Sequence, residues 1–170
     1  MSMCGKTVAD ARDQFWIDTI ANHGHAINRV ADDPGEPTNE PPFAYSIGGW
    51  ESYGAPELII FGLRPDVASA IINNVMDEYQ AGRRFRCAIP EHDVVGNGVP
   101  VYFLEVDPDL AKVYATFTDW YYEREPFPLR QIVWPDKDGR FPWEGEYGGN
   151  PAWQPDLTTD GYTGPEGTPS

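Results

Sequence analysis

The run from Phe43 to Leu63 constrains this chain more than any other part of it. It reads as a strand over Ala44–Ile47, a glycine-rich stretch, and a second strand over Leu58–Leu63 that is apolar at nearly every position. Strands this apolar belong near the middle of a sheet rather than at its rim. Gly48, Gly49, Gly54 and Pro56 lie between them, which predicts a broad loop and not a tight hairpin turn.

The flanking segments supply the remaining layers. Thr7 predicts an N-cap, with Asp10 as its weaker capping-box partner. A helix over Val8–His23 follows, with Ala11, Phe15, Trp16 and Ile20 inward and Gly24 as its left-handed stop. Ala26–Val30 reads as a short strand, and 31–42 as an exposed loop. Pro65 opens a second helix whose residues Val67, Ile71, Val75 and Tyr79 recur every fourth position beside Ala68, Ile72 and Met76, until Gly82 stops it. Val67, Ile71 and Val75 are therefore expected in the core. Arg84–Ile89, Val101–Val106 and Gln131–Trp134 read as strands. Asp109–Tyr122 reads as a third helix with Leu110, Val113, Tyr114, Phe117 and Tyr121 on one side. This order of elements predicts an α+β fold, a mainly antiparallel sheet with two or three packed helices in a single domain. The expected divisions are a flexible N-terminus over 1–6, one α+β domain over 7–157 and a disordered tail over 158–170, the Gly, Pro and Thr content of a tail beginning at Asp156.

Charge and cysteines bound the setting. Of 170 residues, 27 are acidic and 12 basic, a net charge of −15. That balance disfavours nucleic acid and anionic membranes as partners and suits a basic protein partner or plain solubility. No apolar run approaches the ~18 residues of a membrane helix. Cys4 and Cys87 match no metal spacing and read as two free thiols in a reducing cytosol, so a cytoplasmic location is expected.

Three parts of the chain, Phe43–Leu63, Gln131–Trp143 and the late Gln154-Pro155, together resemble a bacterial family, the domain of unknown function 4262 family. The shared pattern is a helix ending in a His-Gly turn (His23-Gly24), a Phe-Ala-Tyr strand from Phe43, a Pro-Glu-Leu strand start at Pro56, and a Trp-Pro-Asp segment at Trp134 before Phe-Pro-Trp at Phe141. The resemblance implies a shared fold over roughly Asp10 to Pro155 and carries no established activity. This chain departs from the pattern at Ala55, where many members have histidine, and at its opening, where it has Cys4 alone in place of a paired-cysteine motif.

Several constellations bear on chemistry. Glu57, just before an apolar run, is either a semi-buried general acid or base or an acceptor that pins the glycine-rich loop, and the pinning reading is favoured. His23, His25 and His92, with Glu57 or Asp93, form a weak metal candidate; no metal is expected. Ser46 before Gly48-Gly49 lacks the nucleophile-elbow pattern, and no dinucleotide or phosphate loop is present, so no cofactor is expected. Trp134, Phe141, Trp143, Tyr147 and Trp153, interleaved with prolines, either wrap the sheet or line a groove, wrapping being favoured.

Two functions follow. The first is a non-catalytic binding or interaction protein for a macromolecular partner, with a basic protein as one option that the charge leaves open. The alternative is a small-molecule-binding protein or hydrolase-like enzyme, its pocket built from Tyr45, Trp50, Glu57, Trp134, Asp136 and Trp143, with Glu57, His25 and Asp136 as catalytic candidates. Catalysis and oligomeric state stay open at this point. Separately, the Phe43–Leu63 loop and the Trp-Pro-Asp segment are expected to face each other, with Glu57 near Asp136.

Overall fold

A computed structural model describes residues 11–31, 40–159 and 161. Five strands form one mixed sheet, in the order β1 (Ala26–Val30), β2 (Phe43–Ile47), β3 (Glu57–Phe61), β5 (Leu129–Val133), β4 (Tyr102–Glu105). β1–β2, β2–β3 and β4–β5 are antiparallel. β3 and β5 are parallel, with Glu57 opposite Leu129 and Ile60 opposite Ile132. The α+β expectation holds, and the sheet is mixed rather than purely antiparallel.

Helices cover both faces. α3 (Pro65–Gln80) packs Ala68, Ile72, Val75 and Met76 against Ala44, Leu58, Ile60, Phe103 and Ile132. On the opposite face α1 (Ala11–His23), α4 (Pro108–Tyr114) and α5 (Thr116–Tyr121) pack Trp16, Ile20, Ala111 and Tyr121 against Tyr45, Ile47, Ile59, Phe61 and Leu129. β3 is buried at every position, which is why its sequence does not alternate. Each fully buried aliphatic side chain there is worth roughly 1.5–3 kcal/mol of transfer free energy. Phe141 and Trp143 close over Tyr102 beyond the edge, so the proline-spaced aromatics wrap the sheet there.

Several expectations need correction. A short helix, α2 (Gly49–Tyr53), occupies the supposed loop between β2 and β3. Arg84–Ile89 forms no strand: Cys87 and Glu91 make only isolated bridges to Phe103 and Val101, and Ala88 between them has φ +60°. The helix expected over Asp109–Tyr122 breaks at Ala115 (φ −92°, ψ 61°) into α4 and α5. The inward face of α1 is rotated from the one expected, and one expected member of each of the other two faces, Val67 and Val113, points outward. Phe15, Val67 and Val113 are 58%, 38% and 65% exposed, whereas Ile17 and Ala111 are buried; Ile71 and Val75 lie in the core as expected, beside Ala68, Ile72 and Met76. Leu157 is buried and its carbonyl accepts from the Asp107 amide at 2.7 Å, so the packed body reaches at least that far. Thr7, Val8, Asp10, Cys4, the 1–6 segment and most of the 158–170 tail lie outside the described residues.

Candidate functional site

The motif residues meet where β2 ends, β3 begins and α2 bridges them. Gly48 turns the chain with φ +95°, and α2 starts at Gly49 with its first amides aimed inward. The Glu57 carboxylate receives them. Oε2 accepts from the Gly48 amide at 3.0 Å and the Trp50 amide at 3.1 Å; Oε1 accepts from the Gly49 amide at 3.2 Å and the Ser46 hydroxyl at 2.6 Å. A fifth donor, the Tyr122 hydroxyl, closes on Oε2. At both glycines a Cβ would press on a neighbouring side chain. A Cβ on Gly48 would come within 2.7 Å of Ile20, and one on Gly49 within 2.7 Å of Met76. Gly48-Gly49 thus cradles the chain's own carboxylate.

Burial pushes the Glu57 carboxyl above the ordinary glutamate range, while its donors, Ser46 and Tyr122 foremost, pull the other way. Burial and the neighbouring Glu57 charge together push the Tyr122 phenol upward. Tyr121 donates to Glu51 Oε1 at 2.5 Å, and its phenol is raised by burial and then by that bond. Glu57 and Ser46 have no exposed surface, and Ser46 Oγ also accepts from the Leu58 amide at 2.9 Å. With their hydrogen-bonding capacity used internally, these groups hold α2 in place; neither reaches a substrate unless α2 opens.

α2 in turn grips the His23-Gly24 turn. Ser52 Oγ donates to the Gly24 carbonyl at 2.5 Å and the Tyr53 hydroxyl to the His23 carbonyl at 3.1 Å. A Cβ on Gly24 would sit 2.2 Å from the Tyr53 oxygen, so the close approach, as well as φ +91°, demands glycine. His25 Nδ1 lies 2.9 Å from the Tyr53 oxygen, and Nε2 donates to Asn73 Oδ1 at 2.8 Å. Burial, then the charges of Asp77 and Glu57, raise the Tyr53 phenol. Beside this assembly lies an open cleft of about 520 Å³, bounded by Thr19 and His23 of α1, by His25, by Ala26, Ile27 and Arg29 of β1, and by Ser69, Asn73 and Asp77 of α3.

The remaining predicted site residues are dispersed. Tyr45 is buried, its hydroxyl accepting from Asn28 Nδ2 at 2.9 Å and from the Phe117 amide at 3.1 Å. Trp50 is 38% exposed and packs edge-on to Tyr122. Trp134 donates through Nε1 to the Phe61 carbonyl at 2.8 Å, while its backbone is clasped by Gln154. Trp143 is buried in the edge cluster. Asp136 accepts from the amides of Asp138 and Arg140 at 2.9 Å and of Gly148 at 2.6 Å, bonds that hold its carboxyl below the usual aspartate range. Parallel pairing puts Glu57 at the start of β3 beside the start of β5, with Asp136 beyond the far end of β5. The expected juxtaposition of these two carboxylates does not occur, because the strands run the same way.

His92 lies in the exposed turn beside the β4 edge, with Nδ1 3.2 Å from the Gly98 carbonyl and neighbouring Asp93 paired with Arg83. His23 and His25 lie at the opposite, β1 edge. Among the described residues no group of three or more His, Cys, Asp or Glu could hold a metal ion. Sequence reasoning missed α2, Tyr53, Tyr122 and the α3 row. The polar row Ser69, Asn73 and Asp77 recurs every fourth residue beside the apolar face, and that periodicity was a readable signal. Tyr122, 65 residues from Glu57, offered none.

A second cleft, about 570 Å³, is floored by Phe43, Phe61 and Tyr114, with Val113, Pro155 and Glu40 at its margin. Its two strand residues are a cross-strand pair, stacked with centroids 5.0 Å apart, and Tyr114 meets both edge-on.

No curated protein and no solved structure matches the chain. Residues 19–148 match the profile described as Domain of unknown function (DUF4262), a span that takes in the His23-Gly24 turn, the Glu57 clasp and the Trp-Pro-Asp segment. The chain belongs to that family.

Proposed function

We propose that this is a non-catalytic, cytosolic binding domain for a basic macromolecular partner. The observation that carries the reading is the fate of Glu57: the motif carboxylate best placed for chemistry is enclosed by five donors and spent on holding α2. Acidic side chains such as Asp77, Asp109, Glu123 and Glu125 are meanwhile exposed, on a chain of net charge −15. Such a surface accelerates encounter with cations, disfavours nucleic acid and anionic lipid, and yields salt-sensitive complexes. Among the described residues no helix is long and apolar enough to cross a membrane. Cys87 is a free thiol, which suits a reducing compartment.

The test is titration with poly-L-lysine and with poly-L-glutamate at low and high salt, beside a control protein of equal negative charge. The reading expects binding of poly-L-lysine alone, tighter than by the control and weakened by salt. Binding no tighter than the control, or indifferent to salt, contradicts it.

A second reading, small-molecule binding, is supported by the Phe43–Phe61–Tyr114 cleft, whose floor comes partly from the Phe43–Leu63 run. Its aromatic side chains suit a flat, cationic ligand held against the ring faces. A screen of aromatic amines against wild type and Tyr114→Ala tests it; the reading fails if no amine binds, or if binding survives the substitution.

A further inference from the structure

The 520 Å³ cleft lies along an unpaired sheet edge. β1 pairs with β2 on one side, and among the described residues no strand pairs with its other side. An edge strand leaves every second residue's N–H and C=O directed outward, and proteins blunt such edges with proline, bulges or short length. β1 is regular in register over all five residues and contains no proline. The edge is also recessed: the cleft takes its walls from α1 on one face of the sheet and from α3 on the other.

The α3 wall has a pitch that suits a strand. Ser69, Asn73 and Asp77 are four residues apart, a rise of about 6 Å per step. Alternate side chains of an extended chain are about 6.6 Å apart. For a strand laid along the helix axis, three successive same-face residues would therefore match the three polar side chains nearly in step. Asp77 is exposed and its charge reaches the Tyr53 hydroxyl, so a cation is favoured at that end. The Ser69 hydroxyl is buried without a hydrogen-bond partner. Arg29, in the β1 wall, disfavours a second cation beside it.

We infer that the outer edge of β1 is a strand-addition site, at which an extended segment of a basic polypeptide pairs with Ala26–Val30 and directs alternate side chains onto Ser69, Asn73 and Asp77. The inference rests on the basic-partner reading and gives it a location. Backbone pairing supplies affinity, and the polar row selects a lysine or arginine opposite Asp77 with a small or hydroxylated residue toward Ser69. Glu57 contributes at a distance, because its clasp on α2 holds Tyr53 against His25 at one end of the cleft.

The probe is a short synthetic peptide of alternating threonine and valine carrying one lysine, titrated calorimetrically and followed by the amide resonances of Ala26–Val30. Binding should shift those resonances. Methylating the peptide's alternate backbone nitrogens should weaken it about ten-fold or more, the effect of one or two lost hydrogen bonds. Asp77→Lys, or glutamate in place of the lysine, should weaken it by about ten-fold. Glu125→Lys, an exposed charge on another part of the surface, should change it little. Equal binding of the methylated peptide, or equal competition by free lysine amide, overturns strand addition. If the peptide ignores Asp77→Lys while poly-L-lysine still binds more tightly than to the control, strand addition falls and the basic-partner reading stands. If neither probe binds, both fall.

Discussion

At one end of the β3–β5 pair the Glu57 carboxylate gathers the amides of Gly48, Gly49 and Trp50. Beyond the other end, the Asp136 carboxylate gathers those of Asp138, Arg140 and Gly148. Both lie within the span matched by the family profile, both order a turn by accepting three backbone N–H groups, and their acidities move in opposite directions. Asp136 meets water, so its donors dominate and its carboxyl is lowered. Glu57 has no exposed surface and lies against the Tyr122 hydroxyl, so burial dominates and its carboxyl is raised despite two further donors. Bonding pattern alone does not set the behaviour of a carboxylate; its access to water does.

The sharpest way to break this comparison is Glu57→Gln. The new amide sets donors against donors, and the variant should lose roughly 2–4 kcal/mol in urea denaturation, the scale of charged hydrogen bonds removed from a buried site. A loss near zero would make Glu57 a poised reactive group and not a clasp. Gly24→Ala comes next. Left-handed backbone and the 2.2 Å approach to Tyr53 act together, and about 1–3 kcal/mol should be lost. The variant's His25 resonances should move, because Tyr53 must shift. Asp136→Asn should have the smallest effect on the denaturation midpoint, since water replaces what the carboxylate gave up.

Acid titration of the melt separates the two carboxylates by sign. Asp136 is lowered on folding, so its contribution is complete above the unfolded aspartate range and is lost as pH falls through its folded value. Glu57 is raised, so between the ordinary glutamate value and its folded value the native state holds more protons than the unfolded one. Its contribution therefore declines as pH rises through that window. Comparing wild type with each variant by calorimetry across the acid range should show Asp136→Asn removing a loss at low pH. Glu57→Gln should remove a decline on rising pH. The same sign for both would undo the contrast.

The two ends also differ in how far the sequence disclosed them. β1 was legible to the residue, and α3 nearly so, because strand composition, Pro65 and Gly82 are local signals. The pinning role of Glu57 was legible too, since a carboxylate before an uninterrupted apolar run needs donors. α2 was not, because five residues are too short for periodicity and its first turn is held by a residue downstream of it. Tyr122 arrives from α5's end, 65 residues on, through packing that no local pattern announces. The Arg84–Ile89 strand failed at Ala88, whose positive φ a β-compatible sequence conceals. The shared Glu57–Asp136 site failed on strand direction, which the residues do not encode locally.

Amide hydrogen exchange at Gly48, Gly49 and Trp50, read by NMR in wild type and in Glu57→Gln, tests the clasp most directly. The account predicts that these amides exchange in wild type nearly as slowly as the β3 core. In the variant they should speed up about ten-fold or more relative to β3, the signature of α2 opening by itself. Rapid exchange in wild type, or unchanged protection relative to β3 in the variant, would contradict the claim that Glu57 holds α2 in place.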